Sequence, residues 1–314
     1  MRWKLKAKIQ NAISVLPSAP SYAAYYWLQR KIGGLKRSKP INRFSAAINI
    51  WKIIQEQGID PAGKVFFEVG TGRIPDLAIA FWLMGAEKII TVDVNPYLKA
   101  ELIDESIQYI FKNNEAILSL FGSLMNTKRL EELQEFHRIP HFSISGFFDL
   151  CRVEYMAPAD AADTSLSDQS IDFHTSKTVF EHIPIEVLKL IMEEGNRIIK
   201  NNGLFIHSID YGDHYSYSDK NISRINFLQY SDEEWAKYNS NKYMYMNRLR
   251  HDDYINLFES VGHQILKVQE KEKNQPSIDL LNKSGLHLDD KFRSKSIEIL
   301  TMTGSFIVSQ KNDS

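Results

Sequence analysis

The chain has 314 residues, is 43% hydrophobic and 11% aromatic, and carries 38 basic against 39 acidic residues for a formal net charge of −1. That composition supplies ample core material and excludes a chain disordered by composition, while the length suits one principal α/β domain with additions. A single cysteine, Cys151, excludes an internal disulfide framework and a cysteine-built zinc site and fits a reducing cytoplasm; no apolar run approaches ~18 residues, so neither a spanning helix nor a secretory leader is expected.

Charge is distributed unevenly. Residues 1–55 hold eleven Lys and Arg and no acid, whereas the remainder holds 27 basic and 39 acidic residues. The basic arm, residues 1–45, opens Arg2-Trp3-Lys4-Leu5-Lys6-Ala7-Lys8-Ile9 and continues through Tyr22, Tyr25, Tyr26 and Trp27. Lysines interleaved with rings suit a helix lying on an anionic membrane surface through residues 1–40. Docking on the acidic body or on a second subunit competes with that reading. Nucleic-acid binding is disfavoured, because the rest of the chain is acidic. Residues 42–57 show helical apolar spacing and lead into the first strand.

The run from Phe66 to Tyr97 is the most informative. An apolar strand from Lys64 to Phe67 ends in Glu68 and turns through Gly70-Thr71-Gly72; an apolar helix follows, and the strand Lys88–Val92 closes on Asp93. Two acids thus end adjacent parallel strands with a glycine turn between them, where open α/β sheets bind ligands. Pro75 stands where a dinucleotide fingerprint has its third glycine, and no Gly-Lys-Ser/Thr follows, so neither pyrophosphate nor a phosphate loop is indicated. Glu68 would repel a phosphate and welcome a cation. S-adenosylmethionine, with its sulfonium, ammonium and a ribose for Asp93, satisfies these demands. Singly, Glu68 and Asp93 could also be strand-end acids capping turns.

Farther along, residues 111–150 exceed a plain crossover and read as one or two helices with a glycine break, a candidate lid. Tyr155–Ala161 reads as a third strand ending in Asp160-Ala161, and Ser167–Ser176 as a fourth, followed by Thr178-Val179-Phe180-Glu181-His182-Ile183. Gly195–His207 reads as a helix, a glycine turn at Asn201-Asn202-Gly203 and a fifth strand. An aromatic insertion at 211–249 precedes a helix over 252–261, a strand over 263–269, a helical stretch over 288–300 and a last strand over 305–308.

This order resembles the class I S-adenosylmethionine-dependent methyltransferases, in their small-molecule branch. The resemblance spans roughly Lys64 to Asp210 and departs at Ile74, where a third glycine is frequent, and at Asn201-Asn202. It implies a Rossmann-like doubly wound sheet, mostly parallel with a reversed edge, occupying residues 46–314 with insertions at 111–150 and 211–249. It implies a cofactor site at Glu68, Gly70, Thr71, Gly72, Asp93, Val94, Asp160, Ala161 and Ser176. Asp160 could equally be a turn former, and Asp172 reads as structural.

Acceptor chemistry falls to the loops after the fourth and fifth strands. Histidine is the default base near neutral pH, so His182 beside Glu181, His214 beside Asp213, and Asp210 are the catalytic candidates. Against this, His182 could be a helix-start contact and His214 a solvated loop residue. Asp210, Asp213, His214 and Asp219 match no established ligand spacing, and no metal is expected. Aromatic residues such as Tyr230, Trp235 and Tyr243 could pack the insertion or form a wall for a sugar. The expected function is methyl transfer to a small-molecule or glycan-like acceptor, a hydroxyl of a saccharide or lipid-linked saccharide. Methylation of a quinone-like metabolite and a non-catalytic cofactor-binding module are the alternatives.

Overall fold

Unbroken apolar runs, rather than alternating ones, mark strands covered on both faces, and the chain places such runs where parallel strands form. The structure, a computed structural model, describes residues 2–36, 39–139, 142–283 and 285–312. In chain order, helices α1 (Trp3–Ser14), α2 (Ser18–Ile32) and α3 (Ile41–Glu56) precede β1 (Val65–Val69), α4 (Asp76–Leu83) and β2 (Lys88–Val92). Next come α5 (Ala100–Lys112), α6 (Asn114–Phe121), α7 (Thr127–Arg138), α8 (Ile144–Cys151), β3 (Val153–Met156), β4 (Ile171–Lys177), α9 (Ile185–Ile198) and β5 (Ile199–Asp210). The chain closes with α10 (Asp232–Asn239), α11 (His251–Ser260), β6 (His263–Glu270), α12 (Gln275–Asn282), α13 (Asp290–Arg293), α14 (Ile297–Thr301) and β7 (Gly304–Lys311).

The seven strands form one mixed sheet in the order β3-β2-β1-β4-β5-β7-β6. β1 pairs in parallel with β2 and β4, and β2 with β3; Glu68 lies opposite both Thr91 and Thr175. This is the expected α/β arrangement, with the last strand inserted between β5 and β6.

The chain divides into two compact units, one of residues 38–177, 190–207 and 308–314, the other of 1–37, 178–189 and 208–307. In the first, α3 buries Phe44, Ile48, Trp51 and Ile54. The Trp51 ring stacks 5.8 Å from Phe66, which in turn stacks 4.3 Å from Phe81 of α4. The segment expected as a lid is tied down on α4. Arg129 of α7 donates to the carbonyls of Trp82 and Ala86 at 2.6 and 2.7 Å, and the Asn126 amide to that of Leu83. Buried Cys151 behaves as a small core side chain, its thiol pushed up by burial.

In the second unit the basic arm is packed, not free. Trp3 is buried among Tyr215, Phe227, Trp235, Met244 and Met246, and its amide donates to Asp219 Oδ2 at 2.8 Å. Tyr25 of α2 stacks on Tyr243 at 3.9 Å. The arm therefore docks on the aromatic insertion, and those insertion rings are mainly packing. Arg250, wholly buried, donates to the carbonyls of Tyr211, Ile299, Leu300 and Met302, pairing the open end of α14.

Two local expectations change. Residues 201–203 are extended strand, not a turn. A Cβ at Gly203 would come within 2.7 Å of the Asp172 carbonyl, so close approach of neighbouring backbone requires the glycine. The stretch 288–300 is two short helices, because Asp289 and Ser296 each cap a new start by accepting the Lys291 and Ile299 amides.

Candidate active site

The crevice at the carboxyl ends of β1 and β2 is built by a few polar groups. Gly70 and Gly72 adopt φ of 87° and 70°, a left-handed backbone that glycine alone accepts cheaply. This turn points the Gly72 amide at Asp93, whose Oδ2 accepts at 2.8 Å, while Oδ1 accepts from Asn95 at 2.9 Å. Burial raises the Asp93 pKa, and the two amides and Arg73 pull against it. Each oxygen keeps a second lone pair, which suits a ribose diol. Val94, beside it, is 66% exposed and so offers an open apolar surface.

Glu68, read from the sequence as an acid that would welcome a cation, is 1% exposed. It lies buried at the floor, accepting from Thr91 Oγ1 at 3.0 Å, and Thr91 shares a 2.6 Å hydrogen bond with Thr71. Burial raises it to about 7, against the nearby Arg43 and the Thr91 hydroxyl. Arg43 went unforeseen. Its guanidinium lies 3.7 Å from where a Cβ on Gly72 would stand, and it also acts on buried Asp76, which accepts from Ser106 at 2.6 Å. Glu68 is thus a titratable group at the floor of the crevice.

The remaining expected cofactor residues divide. Asp160 is exposed and accepts the Ala162 amide at 2.9 Å, forming a turn that leaves Oδ2 available, with Ala161 buried beside it. The Ala159 amide donates to the Asp93 carbonyl at 3.0 Å, which brings this loop to the crevice edge. Ser176 is buried within the sheet, 2.8 Å from His207 Nδ1, in a chain that continues to His174 at 3.3 Å.

The catalytic candidates meet in the second unit. Glu181 and His182 form a short 3-10 turn after β4, and His214 begins another just beyond β5. His182 Nδ1 lies 2.6 Å from the Tyr245 carbonyl; a carbonyl only accepts, so Nδ1 carries hydrogen and Nε2 is the bare acceptor. Burial and His214 lower His182 to about 4, which keeps it neutral. His214 Nε2 stands 3.7 Å from Asp210 Oδ2 and 3.9 Å from Glu181 Oε1, with the two imidazole rings 4.8 Å apart. Both carboxylates thus face the Nε2 edge of the His214 ring.

Burial alone would raise Asp210, but His214, the Tyr217 hydroxyl and the Gly212 amide hold it well below the usual carboxylate range. Tyr217 donates to Oδ2 and Arg224 to Oδ1 at 3.1 Å. Asn247 also had no signal in the sequence. Its side-chain amide donates to the Phe180 and Ile183 carbonyls, both at 2.8 Å, fixing the turn that presents Glu181 and His182.

Asp213 and Asp219 serve elsewhere. Asp213 caps Tyr215 and accepts from Asn226, and burial raises it to about 6; Asp219 holds the arm. One ligand atom each from Glu181, His182 and His214 lies within 4.8 Å of the others, a set that could also take a divalent transition ion.

Residues 144–207, from α8 through most of β5, match the family described as methyltransferase domain. No curated protein matches the sequence. Among solved structures, the chain is similar to an S-adenosylmethionine-dependent methyltransferase from Methanosarcina mazei, 12% identical with a TM-score of 0.44 over 82% of this chain and 96% of that one. It is also similar to magnesium protoporphyrin IX methyltransferase from Synechocystis with bound S-adenosylhomocysteine, at 9% identity and TM-score 0.48 over 98% and 99%. A third is a TehB-like methyltransferase from Corynebacterium glutamicum, at 10% and 0.45 over 94% and 100%. The strand order and the glycine-and-acid crevice thus accompany a segment, residues 144–207, that matches a methyltransferase domain.

Proposed function

We propose that the protein methylates a hydroxyl group of a saccharide, free or lipid-linked. The observation that carries this reading is His214 set between the carboxylates of Asp210 and Glu181, with a neutral His182 beside it. A hydroxyl, unlike a thiolate or a free amine, must surrender a proton as its oxygen attacks.

When bound, S-adenosylmethionine would supply an activated methyl group, the leaving group being its sulfur as a neutral thioether. Asp93 and the Gly70–Gly72 turn would hold the adenosyl end. His214 receives the acceptor proton, and the resulting imidazolium sits beside two carboxylates, as in carboxylate–histidine bases generally. His182 Nε2 accepts a hydrogen bond from the hydroxyl and orients it. The oxygen thus gains a carbon and loses a proton.

The arm supports a lipid-linked form of the acceptor. Val15 is 86% and Trp27 61% exposed, and Leu5, Leu16, Lys4 and Lys8 are exposed with them, a mixture suited to an anionic interface. No helix among the described residues is long and apolar enough to cross a membrane. Radiolabelled methyl transfer to saccharides, phosphoglycolipids and quinols tests the reading. Label in a saccharide ether, with sedimentation on anionic vesicles, supports it. Label only in quinols overturns it.

A further inference from the structure

Two short turns of the second unit bring nitrogen and oxygen donors together. Glu181 and His182 stand on the turn after β4; Asp210 ends β5, and His214 stands on the turn beyond it. One donor atom each from Glu181, His182 and His214 lies within 4.8 Å of the other two. The sequence shows no ligand spacing, because the three donors come from turns after different strands.

Three observations bear on what this cluster holds. First, two imidazoles and one carboxylate make a mixed set that suits zinc and its first-row neighbours rather than magnesium, which prefers oxygen alone. A triangle of atoms no wider than 4.8 Å has a centre within ~2.8 Å of each corner, and side-chain shifts under ~1 Å close it to the ~2.0–2.2 Å of zinc–nitrogen and zinc–oxygen bonds.

Second, His182 is oriented as a ligand. Its Nδ1 hydrogen goes to the Tyr245 carbonyl at 2.6 Å and leaves the Nε2 lone pair bare; metal-bound histidines are held by such a bond on their other nitrogen. Asn247 fixes the same turn through the Phe180 and Ile183 carbonyls, and its backbone amide donates to the Glu181 carbonyl at 2.9 Å. Third, His214 Nε2 is buried and makes no hydrogen bond, since Asp210 Oδ2 and Glu181 Oε1 stand off at 3.7 and 3.9 Å. A dication in that gap meets the nitrogen and offsets the two negative charges together. Both rings are partly exposed, which gives the ion a way in.

We infer that Glu181, His182 and His214 form a binding site for one zinc-like divalent transition ion, with Asp210 as a neighbouring counter-charge. Asp210 stays outside the ligand set because Tyr217, Arg224 and the Gly212 amide already hold its oxygens. The site goes beyond the saccharide reading and does not depend on it. One consequence does rest on that reading: an imidazole holding a dication is a poor proton acceptor, so the ion and the acceptor proton compete for His214.

The test uses the full chain, stripped with a chelator and desalted. Titration with zinc chloride, and with cobalt(II) as a visible probe, should show one equivalent and the strong ligand-field bands of a four- or five-coordinate ion. Magnesium at about a hundredfold excess should not displace it. His182→Ala and His214→Ala should each weaken binding by more than about tenfold, and Asn247→Ala by about tenfold. His287→Ala, outside the cluster, should leave it unchanged.

If a variant fails to fold, X-ray absorption of the zinc-loaded wild type decides, and two imidazole rings with oxygen at ~2.0–2.2 Å support the site. An all-oxygen shell, no stoichiometric zinc binding, or binding that survives both histidine variants overturns it. Methyl transfer to a saccharide, followed on the same samples, separates this inference from the reading before it. Transfer that falls with zinc occupancy and returns with chelator supports the competition. Transfer unaffected by bound zinc removes His214 as the base and leaves the ion site; transfer without zinc binding removes the site alone. If no saccharide is labelled, the saccharide reading fails and the zinc titration still decides the site.

Discussion

Glu68 shows how burial changes a residue's part. Read as a strand-end acid, it looks like a standing negative charge; folded, it is a floor group whose pKa is raised to about 7 by burial. The raised value means the fold prefers the protonated form. Its contribution to stability is therefore fully present below about pH 4.5 and is lost as pH rises through about 7. Glu68→Gln keeps an oxygen for Thr91 but cannot ionise. The melting temperature of the variant should fall less than that of wild type between pH 5 and 8, and parallel curves would contradict the assignment. His214 gives a second expectation. His214→Asn should lower kcat by about 10²–10⁴ while cofactor affinity stays within about twofold, because proton removal rather than cofactor binding is lost. An unchanged kcat in single-turnover assays would move the proton to another group.

At the scale of elements, local signals sufficed where one strand end carried the chemistry. Glu68, Gly70, Gly72 and Asp93 lie within 26 consecutive residues, and the apolar runs around them announce buried strands. What stayed hidden was pairing across distance. Trp3 packs against Tyr215 and Trp235, and Asn247 holds a turn more than 60 residues earlier in the chain; neither has a local pattern. Arg43 likewise sits on a helix whose apolar spacing was legible while its reach to the glycine turn was not. The arm's attachment has a measurable consequence. Trp3→Ala empties a buried site among aromatic rings and should cost about 3–5 kcal/mol of stability, seen in urea unfolding of the full chain. A loss below about 1 kcal/mol would mean that α1 is not packed in solution.

For the molecule as a whole, the uneven charge acquires a structural account. The basic, aromatic arm lies on an insertion whose acids include Asp213 and Asp219, and Asp219 accepts its first helical amide. Composition alone could not separate that docking from a lipid surface, since lysines and rings serve both. The class of enzyme rests instead on the crevice. Isothermal titration of the intact protein with S-adenosylhomocysteine, alongside NAD and ATP, tests it most directly. One equivalent of S-adenosylhomocysteine should bind, Asp93→Ala should weaken it by about 10–100-fold through loss of charge-assisted hydrogen bonds, and neither phosphorylated nucleotide should bind. Binding of NAD or ATP in its place, or no binding of S-adenosylhomocysteine, would contradict the account.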